Sequence, residues 1–245
     1  MFDHADLWWN ANESGWGVTV THQKEVIFLT FFIYGTDGKA SWYTGQASYL
    51  NNSPQGQNVF TGVMYQVAGP WFGTTFNPAL VNARQVGTMT FSAFTNSATL
   101  TYSIDGITVT KNITRQTFRR NEINTIYHGT TRTVQSGCIP TSLNGTYLTN
   151  TSIGVLNTDT TLRMTSIGAG NPPDTCTYNG SYQQTGRLGI SIGTYSCNTG
   201  ASGSYTASAI DASTVGVTAR LTGTSNFCSS VITTYGGVAG GIWIQ

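Results

Sequence analysis

Residue types that carry chemistry are scarce in this chain, and their spacing does not suit a catalytic or metal-binding site. The three histidines, His4, His22 and His128, lack the i, i+2 or i, i+4 spacing of metal ligands. The pattern Gly-x-Ser-x-Gly occurs once, at 189–193, but inside a predicted strand, whereas a hydrolase elbow requires a strand-to-helix turn. The α/β pattern that dinucleotide-binding motifs need is absent. The sequence therefore predicts a non-enzyme that holds no metal and no other cofactor.

Glu13 is the one carboxylate in suggestive surroundings, because Trp9 and Trp16 flank it in the sequence. A carboxyl group against indole rings can have a raised pKa and act as an acid. The favoured alternative is structural: Glu13 accepts hydrogen bonds from amides of the turn at 12–15. Lys111, in a predicted strand, is interpreted as a lysine whose stem runs along a barrel face, rather than as a crosslink to Asn or Asp.

Four cysteines, all after residue 137, predict a disulfide framework in the second half of the chain. A near-palindrome is centred on 186–187. Its mirrored pairs are Cys176 and Cys197, Tyr178 and Tyr195, and Gly180 and Gly193. Mirror positions face each other across a hairpin, about 4.5–5.5 Å apart at Cα, which a disulfide can span. We therefore predict the disulfide Cys176–Cys197. Elimination leaves Cys138–Cys228 as the second.

The cysteine count also bears on the compartment. An even set with one mirrored pair is typical of an oxidising environment, and four buried free thiols are the alternative. The chain opens with neither a basic region nor an apolar core, so we expect that an export signal has been removed. No stretch approaches the ~20 apolar residues of a membrane span. The sequence predicts a secreted or cell-surface protein that does not span a membrane.

Charge is sparse and balanced. Lys plus Arg number 11 and Asp plus Glu number 10, and charged residues make up 9% of the chain, against roughly 25% in typical soluble domains. Such a chain has no field that would attract nucleic acid, so no nucleic-acid partner is expected. Little net charge also means little repulsion between copies.

Alternating apolar and polar residues, broken by turn signals, predict an all-β protein with two small antiparallel β-barrel or β-sandwich domains in tandem. The pattern is lost over 119–137, and the boundary is placed there: a Trp-rich domain at 1–128 and a disulfide-stapled domain at 129–245. Five of the six tryptophans precede residue 72. The predicted strands are 16–22, 26–34, 40–49, 58–67, 85–94, 99–104, 107–118, 143–148, 161–167, 175–183, 189–197, 203–210, 215–221 and a final stretch that includes 241–245.

The turn Asp105-Gly106 is a strong two-residue hairpin signal. Its predicted cross-strand pairs are Ile104 with Ile107, Tyr102 with Val109, and Leu100 with Lys111.

The segment 6–18, with Trp-Trp-Asn followed by Glu-Ser-Gly-Trp-Gly, resembles a recurrent module of secreted proteobacterial proteins. Supporting blocks lie at 27–43, 85–89 and 113–116. The second half is similar to a companion segment that often follows this module, through its blocks at 176–180 and 193–197. The resemblance implies an exported, disulfide-bearing protein of largely uncharacterised role, and it carries over no catalytic residues. Compared members end in Gly-Gly followed by arginines, whereas this chain ends in the uncharged sequence Gly-Gly-Ile-Trp-Ile-Gln.

The favoured function is a non-catalytic extracellular structural protein, a self-associating subunit of a fibre or cell-surface assembly. Sparse charge leaves strand edges unprotected against pairing with other copies. The glycines at 236–241 suit a flexible lead into a donated strand, with Ile242, Trp243 and Ile244 as its assembly residues. The alternative is that this terminal strand closes its own barrel.

The second hypothesis is a secreted module that binds glycans or cell wall, with polysaccharide as the partner. Flat aromatic side chains with polar tips suit sugar rings. Tryptophan in the first strands of a small β domain is nevertheless more often part of the core. The candidate platform residues are Trp8, Trp9, Trp42, Tyr43, Trp71 and Phe72.

Overall fold

The computed structural model describes residues 3–213 and 215–240, and it confirms the all-β prediction. Two eight-stranded antiparallel barrels follow each other along the chain, so barrels rather than sandwiches are formed. One unit comprises residues 1–116 and the other 117–245. Among the described residues there is no helix of the length and apolarity needed to cross a membrane.

Barrel 1 is an up-and-down barrel in which each strand pairs with its neighbours in sequence and the last returns to the first. Its strands are β1 (Asp6–Trp9), β2 (Gly17–Gln23), β3 (Val26–Tyr34), β4 (Ala40–Tyr49), β5 (Asn58–Ala68), β6 (Asn82–Ala93), β7 (Ser97–Ile104) and β8 (Ile107–Arg115).

The predicted register of the β7–β8 hairpin is confirmed at all three pairs. Asp105 and Gly106 both have positive φ, 48° and 85°, as a two-residue turn that follows the strand twist requires. Local turn chemistry therefore sets the pairing of this hairpin.

Large side chains fill the interior of barrel 1. Trp8, Phe31, Phe60, Phe91 and Met64 are fully buried. The rings of Trp8 and Phe91 meet edge to face at 5.3 Å, a favoured aromatic geometry. The interior of this barrel is a packed core.

Barrel 1 closes through Arg115, the last residue of β8, which faces Trp8 in the β1–β8 register. The guanidinium is 2% exposed and lies 4.7 Å from the Trp8 ring centre. It donates to the carbonyls of Thr95 at 2.9 Å and Asp3 at 2.6 Å, and to the Asp6 carboxylate at 3.2 Å. The two sequence blocks around Trp8 and Arg115 thus meet where the barrel closes. Strand β1 was missed in the sequence because four residues are too few to show alternation.

Barrel 2 has the same topology, with its first strand also paired to its last. Its strands are β9 (Ile126–Cys138), β10 (Gly145–Asn157), β11 (Thr161–Gly168), β12 (Thr175–Thr185), β13 (Leu188–Cys197), β14 (Ser202–Ala212), β15 (Gly216–Gly223) and β16 (Cys228–Ala239).

Both predicted disulfides are present. Cys176–Cys197 joins β12 to β13, and the mirrored positions of the palindrome face each other across this hairpin. Cys138–Cys228 joins β9 to β16, the strand pair that closes barrel 2. The first bridge therefore lies within one hairpin, whereas the second joins the two ends of the domain.

The predicted boundary at 128/129 is too late, because it falls inside β9. The division lies between Gln116 and Thr117.

Strand β9 was missed because Thr131 and Thr133 occupy its inward side. A strand with one buried face is recognised in a sequence by apolar residues at every second position, and these threonines hide that alternation. The last described strand, β16, ends at Ala239, and residues 241–245 of the predicted final stretch lie outside the described residues.

The two disulfides differ in the loop that each closes. Cys138–Cys228 spans 90 residues and Cys176–Cys197 spans 21. Chain entropy makes the longer crosslink worth more by about 1 kcal/mol. We expect the double variant C138A/C228A to unfold at lower denaturant concentration than C176A/C197A. Equal midpoints, or the reverse order, would contradict this account of barrel closure.

Candidate functional site

The outer face of β3 carries large exposed aromatic side chains. Ile27, Leu29 and Phe31 point into barrel 1 and are fully buried. The intervening Phe28 and Phe32 point outward and are 44% and 51% exposed. Apart from Thr30, the run at 26–34 is therefore apolar on both faces of β3.

The neighbouring strand extends this surface. Trp42 of β4 lies directly opposite Phe32 in the register and is 50% exposed. Tyr34, at the end of β3, is also exposed. We call the outward side chains of Phe28, Phe32, Tyr34 and Trp42 the aromatic wall.

The strands that carry the aromatic wall lack formal charge, which in this part of barrel 1 is confined to turns such as that of Asp37 and Lys39. Strands β2, β3, β4 and β5 contain no Asp, Glu, Lys or Arg. Charged residues are the usual device that keeps exposed β surfaces apart. Depletion of charge together with enrichment of Tyr, Trp and Phe is the composition of interface cores.

A second exposed apolar surface is the loop at 69–81 between β5 and β6, which we call the apolar loop. Its side chains Trp71, Phe72, Phe76 and Leu80 are 61–92% exposed. The Trp71 ring folds back over Gly73, where an added Cβ would collide with the indole. β5 runs antiparallel to β4 in the register Tyr65↔Thr44, so the apolar loop leaves the barrel at the end where β4 begins.

A groove of about 620 Å³ at one end of barrel 1 combines aromatic and charged groups. Glu13 Oε2 accepts hydrogen bonds from Lys111 Nζ at 2.7 Å and Trp16 Nε1 at 3.0 Å. The Lys111 ammonium also lies 5.6 Å from the Trp16 ring centre. The hydrogen bond from Lys111 lowers the pKa of Glu13, so a raised pKa is wrong for this carboxyl. Its described partners are side chains, whereas the sequence favoured turn amides.

The six predicted platform residues do not form one row. Trp8 is wrong as a surface residue: it is fully buried, and its Nε1 donates to the His4 carbonyl at 3.0 Å. Strand alternation puts Trp9 on the opposite face, where it is half-buried. Tyr43 is half-buried and lines the groove beside Trp16. The exposed members are Trp42, Trp71 and Phe72.

Phe28, Phe32, Tyr34 and Phe76 were missed as surface candidates. For Phe28, Phe32 and Tyr34 the available signal was the run in β3, which is apolar except for Thr30. In a closed barrel without helices, half of such a run must face outward. The predicted assembly residues Ile242, Trp243 and Ile244 lie outside the described residues.

The other chemistry-bearing residues have structural partners. His4 and His22, eighteen positions apart in sequence, stack at 5.5 Å. Burial, reinforced by Arg115, lowers the pKa of His4 to about 3. Ser191 of the Gly-x-Ser-x-Gly pattern is buried inside β13, with its Oγ 3.0 Å from the Tyr205 hydroxyl.

Within residues 3–213 and 215–240, the one cluster of three metal-ligand types is Asp174, Cys176 and Cys197. Both of its sulfurs belong to a disulfide, so neither offers a thiolate to a metal.

Comparison with known proteins adds little. No protein-family model matches the chain, and no curated protein matches it. Among solved structures, a DUF3598-family protein of unknown function from Nostoc punctiforme aligns with 97% of this chain and 96% of its own, at 9% identity and a TM-score of 0.26. A likeness at that TM-score carries no argument about this chain.

The Glu13–Lys111 pair gives a pH-dependent prediction. A carboxyl whose pKa is lowered on folding stabilises the folded state above its ordinary pKa, and this contribution is lost as pH falls through the lowered value. We expect Lys111→Met to raise the Glu13 pKa toward that of a free glutamate, as measured by carboxyl-carbon NMR titration. Arg84→Met, which removes a cation from Asp105 instead, is the control. An unchanged Glu13 pKa in Lys111→Met would show that the pair does not form in solution.

Proposed function

We propose that this chain is a non-catalytic extracellular structural protein, in which barrel 1 joins copies to one another through the aromatic wall and the apolar loop. The observation that carries the proposal is the coincidence of exposed aromatic side chains with four consecutive strands that lack any charged residue. A lone exposed aromatic residue needs no explanation, but a set of neighbours without charge is typical of a contact surface.

The lack of charge on β2–β5 favours a second copy of this chain as the partner. A second copy presents the same neutral wall, so bringing two walls together desolvates no formal charge on β2–β5. The net charge of +1 adds no long-range repulsion between copies. Each aromatic side chain that becomes buried removes part of its roughly 150–250 Å² from water.

Closure of the barrels changes the expected mode of assembly. In a closed barrel each strand has a paired neighbour on both sides, so free edge is confined to places where one strand outruns its neighbour, as β8 outruns the four-residue β1. Assembly through side-chain surfaces therefore replaces edge-to-edge pairing in this proposal. The donated terminal strand at 242–244 stays a prediction.

The extracellular location rests on the disulfides. Two structural disulfides persist in an oxidising compartment and are rare in a reducing cytosol. The resemblance to exported proteins around 6–18 supports the same assignment.

Polysaccharide is the alternative partner, and the exposed rings of Trp42, Trp71 and Phe72 favour it. The groove beside Glu13 and Tyr43 adds hydrogen-bonding groups next to aromatic faces. Sugar rings stack on such faces while their hydroxyls bond to polar neighbours.

A charge placed on the aromatic wall tests the proposal. We expect the wild-type protein to associate as its concentration rises in sedimentation velocity. Phe32→Glu should weaken this association at least about tenfold, because each interface would have to bury an unpaired carboxylate. Phe94→Glu, at an equally exposed position (51%) in the turn between β6 and β7 and outside the aromatic wall, is the matched control and should associate like wild type.

Circular dichroism and thermal unfolding establish that both variants are folded. A wild-type protein that stays monomeric at every concentration would overturn self-association. If that monomer sediments with insoluble polysaccharide, and W71A/F72A does not, the glycan-binding alternative takes its place.

A further inference from the structure

The interior of barrel 2 differs from that of barrel 1, because it is not filled. Two adjoining spaces lie inside it, a lower cavity of about 190 Å³ and an upper cavity of about 480 Å³. Six residues line both spaces, so the two are immediate neighbours: Thr133, Asp174, Cys176, Tyr178, Leu221 and Thr233. Eight-stranded barrels are wide enough to hold one small ligand.

One end of this interior is closed by the segment that precedes β9. Ile123 is 2% exposed and lines the lower cavity. Asn121 is held by Gln184 and by the Arg187 carbonyl, and the Ile123 amide donates to Asn157 at 3.2 Å. The segment therefore seals the barrel at the end where the β12–β13 turn lies.

The other end carries both disulfides and opens outward. Cys176–Cys197 and Cys138–Cys228 border the upper cavity. Asp174, Thr199 and Phe227, which also line it, are exposed. The crosslinks thus hold the strands that form the mouth, and a small molecule can reach the interior from this side.

A buried hydroxyl beside the lower cavity lacks a partner. Tyr235 is 5% exposed and lines the cavity, and its hydroxyl, which lies against Gly237, has no hydrogen-bond partner among the described residues. The nearby Tyr205 hydroxyl, by contrast, is paired with Ser191. Burial, and to a lesser extent the neighbouring Tyr127, raises the pKa of Tyr235 to about 12. The phenol therefore stays protonated at neutral pH and can donate.

The remaining lining restricts the chemistry of a ligand. The deep wall is aliphatic, with Val155, Leu162 and Ile210 among its residues, and its threonine hydroxyls pair with one another, as in Thr133–Thr233 at 3.0 Å. Among the described residues, no Lys or Arg lines either cavity, and Asp174 at the mouth adds a carboxyl group. A buried anion would have no cation to pair with, which makes anionic ligands costly.

We infer that barrel 2 binds one small, neutral, largely apolar molecule, which enters at the disulfide end and places a hydrogen-bond acceptor at the Tyr235 hydroxyl. The upper cavity has the size of small-molecule sites, and the lower cavity beneath it supplies a mostly apolar lining. This binding site is separate from the proposed contact surface of barrel 1, and neither depends on the other.

The first test fills the cavity. Ala219 lies opposite Tyr235 in the β15–β16 register and lines the lower cavity, whereas its neighbour Thr218 is exposed on the outside. Wild type should enhance the fluorescence of the neutral probe N-phenyl-1-naphthylamine with saturable, one-site binding. Ala219→Phe should weaken that binding at least about tenfold, and Thr218→Phe should not. Ala219→Leu gives a milder filling if the phenylalanine variant does not fold.

The second test addresses the hydroxyl with two ligands of matched shape, 2-acetylnaphthalene and 2-ethylnaphthalene, which displace the probe. Tyr235→Phe should weaken acetylnaphthalene binding about fivefold, the effect of one neutral hydrogen bond, and leave ethylnaphthalene binding unchanged. The sulfonated probe 8-anilinonaphthalene-1-sulfonate should bind more weakly than its neutral counterpart.

Three results would overturn the inference. They are the absence of one-site binding in wild type, full binding in a folded Ala219→Phe or Ala219→Leu variant, and tighter binding of the sulfonated probe. Phe32→Glu should bind the neutral probe like wild type. Loss of binding in that variant would instead place the probe on barrel 1.

Discussion

Closure of each barrel by its first and last strands is the constraint on which the rest of the structure depends. A strand at an open edge would leave backbone donors and acceptors unpaired. Barrel 1 meets this requirement with Arg115, whose guanidinium ties β8 to β1 and to the segment before it. Barrel 2 meets it with Cys138–Cys228 across β9 and β16. The first and last strands are thus joined by a buried cation in barrel 1 and by a covalent bond in barrel 2.

A closed barrel has an interior and an outer surface, and the two barrels differ in the residues that they place on each. Barrel 1 places Phe31, Phe60 and Phe91 inside, so it has a packed core, and it exposes further aromatics on β3 and β4, two strands without a charged residue. Barrel 2 places tyrosines, threonines and small residues inside, and these leave a cavity. Recognition is therefore proposed on the surface of the first barrel and in the interior of the second.

Short-range patterns made much of this fold predictable. The Asp105-Gly106 turn set one hairpin register, and the palindrome set another together with the Cys176–Cys197 bridge. Features that depend on distant partners were not predictable. β1 is a strand because Arg115 lies beside it, over a hundred residues later, and the inward threonines of β9 are acceptable only because a cavity adjoins them. Trp8 was offered as a surface residue because sequence alone does not show which side of a four-residue strand faces the core.

Hydrogen exchange along β9 tests the closure of barrel 2 most directly. In a closed barrel, successive amides bond alternately to β10 and β16, so all the amides in the paired region exchange slowly. The account predicts continuous protection through 128–135, measured by NMR in the disulfide-bonded protein. Fast exchange at every second amide would show that β9 is an open edge, and would contradict the closed barrel on which the proposed cavity depends.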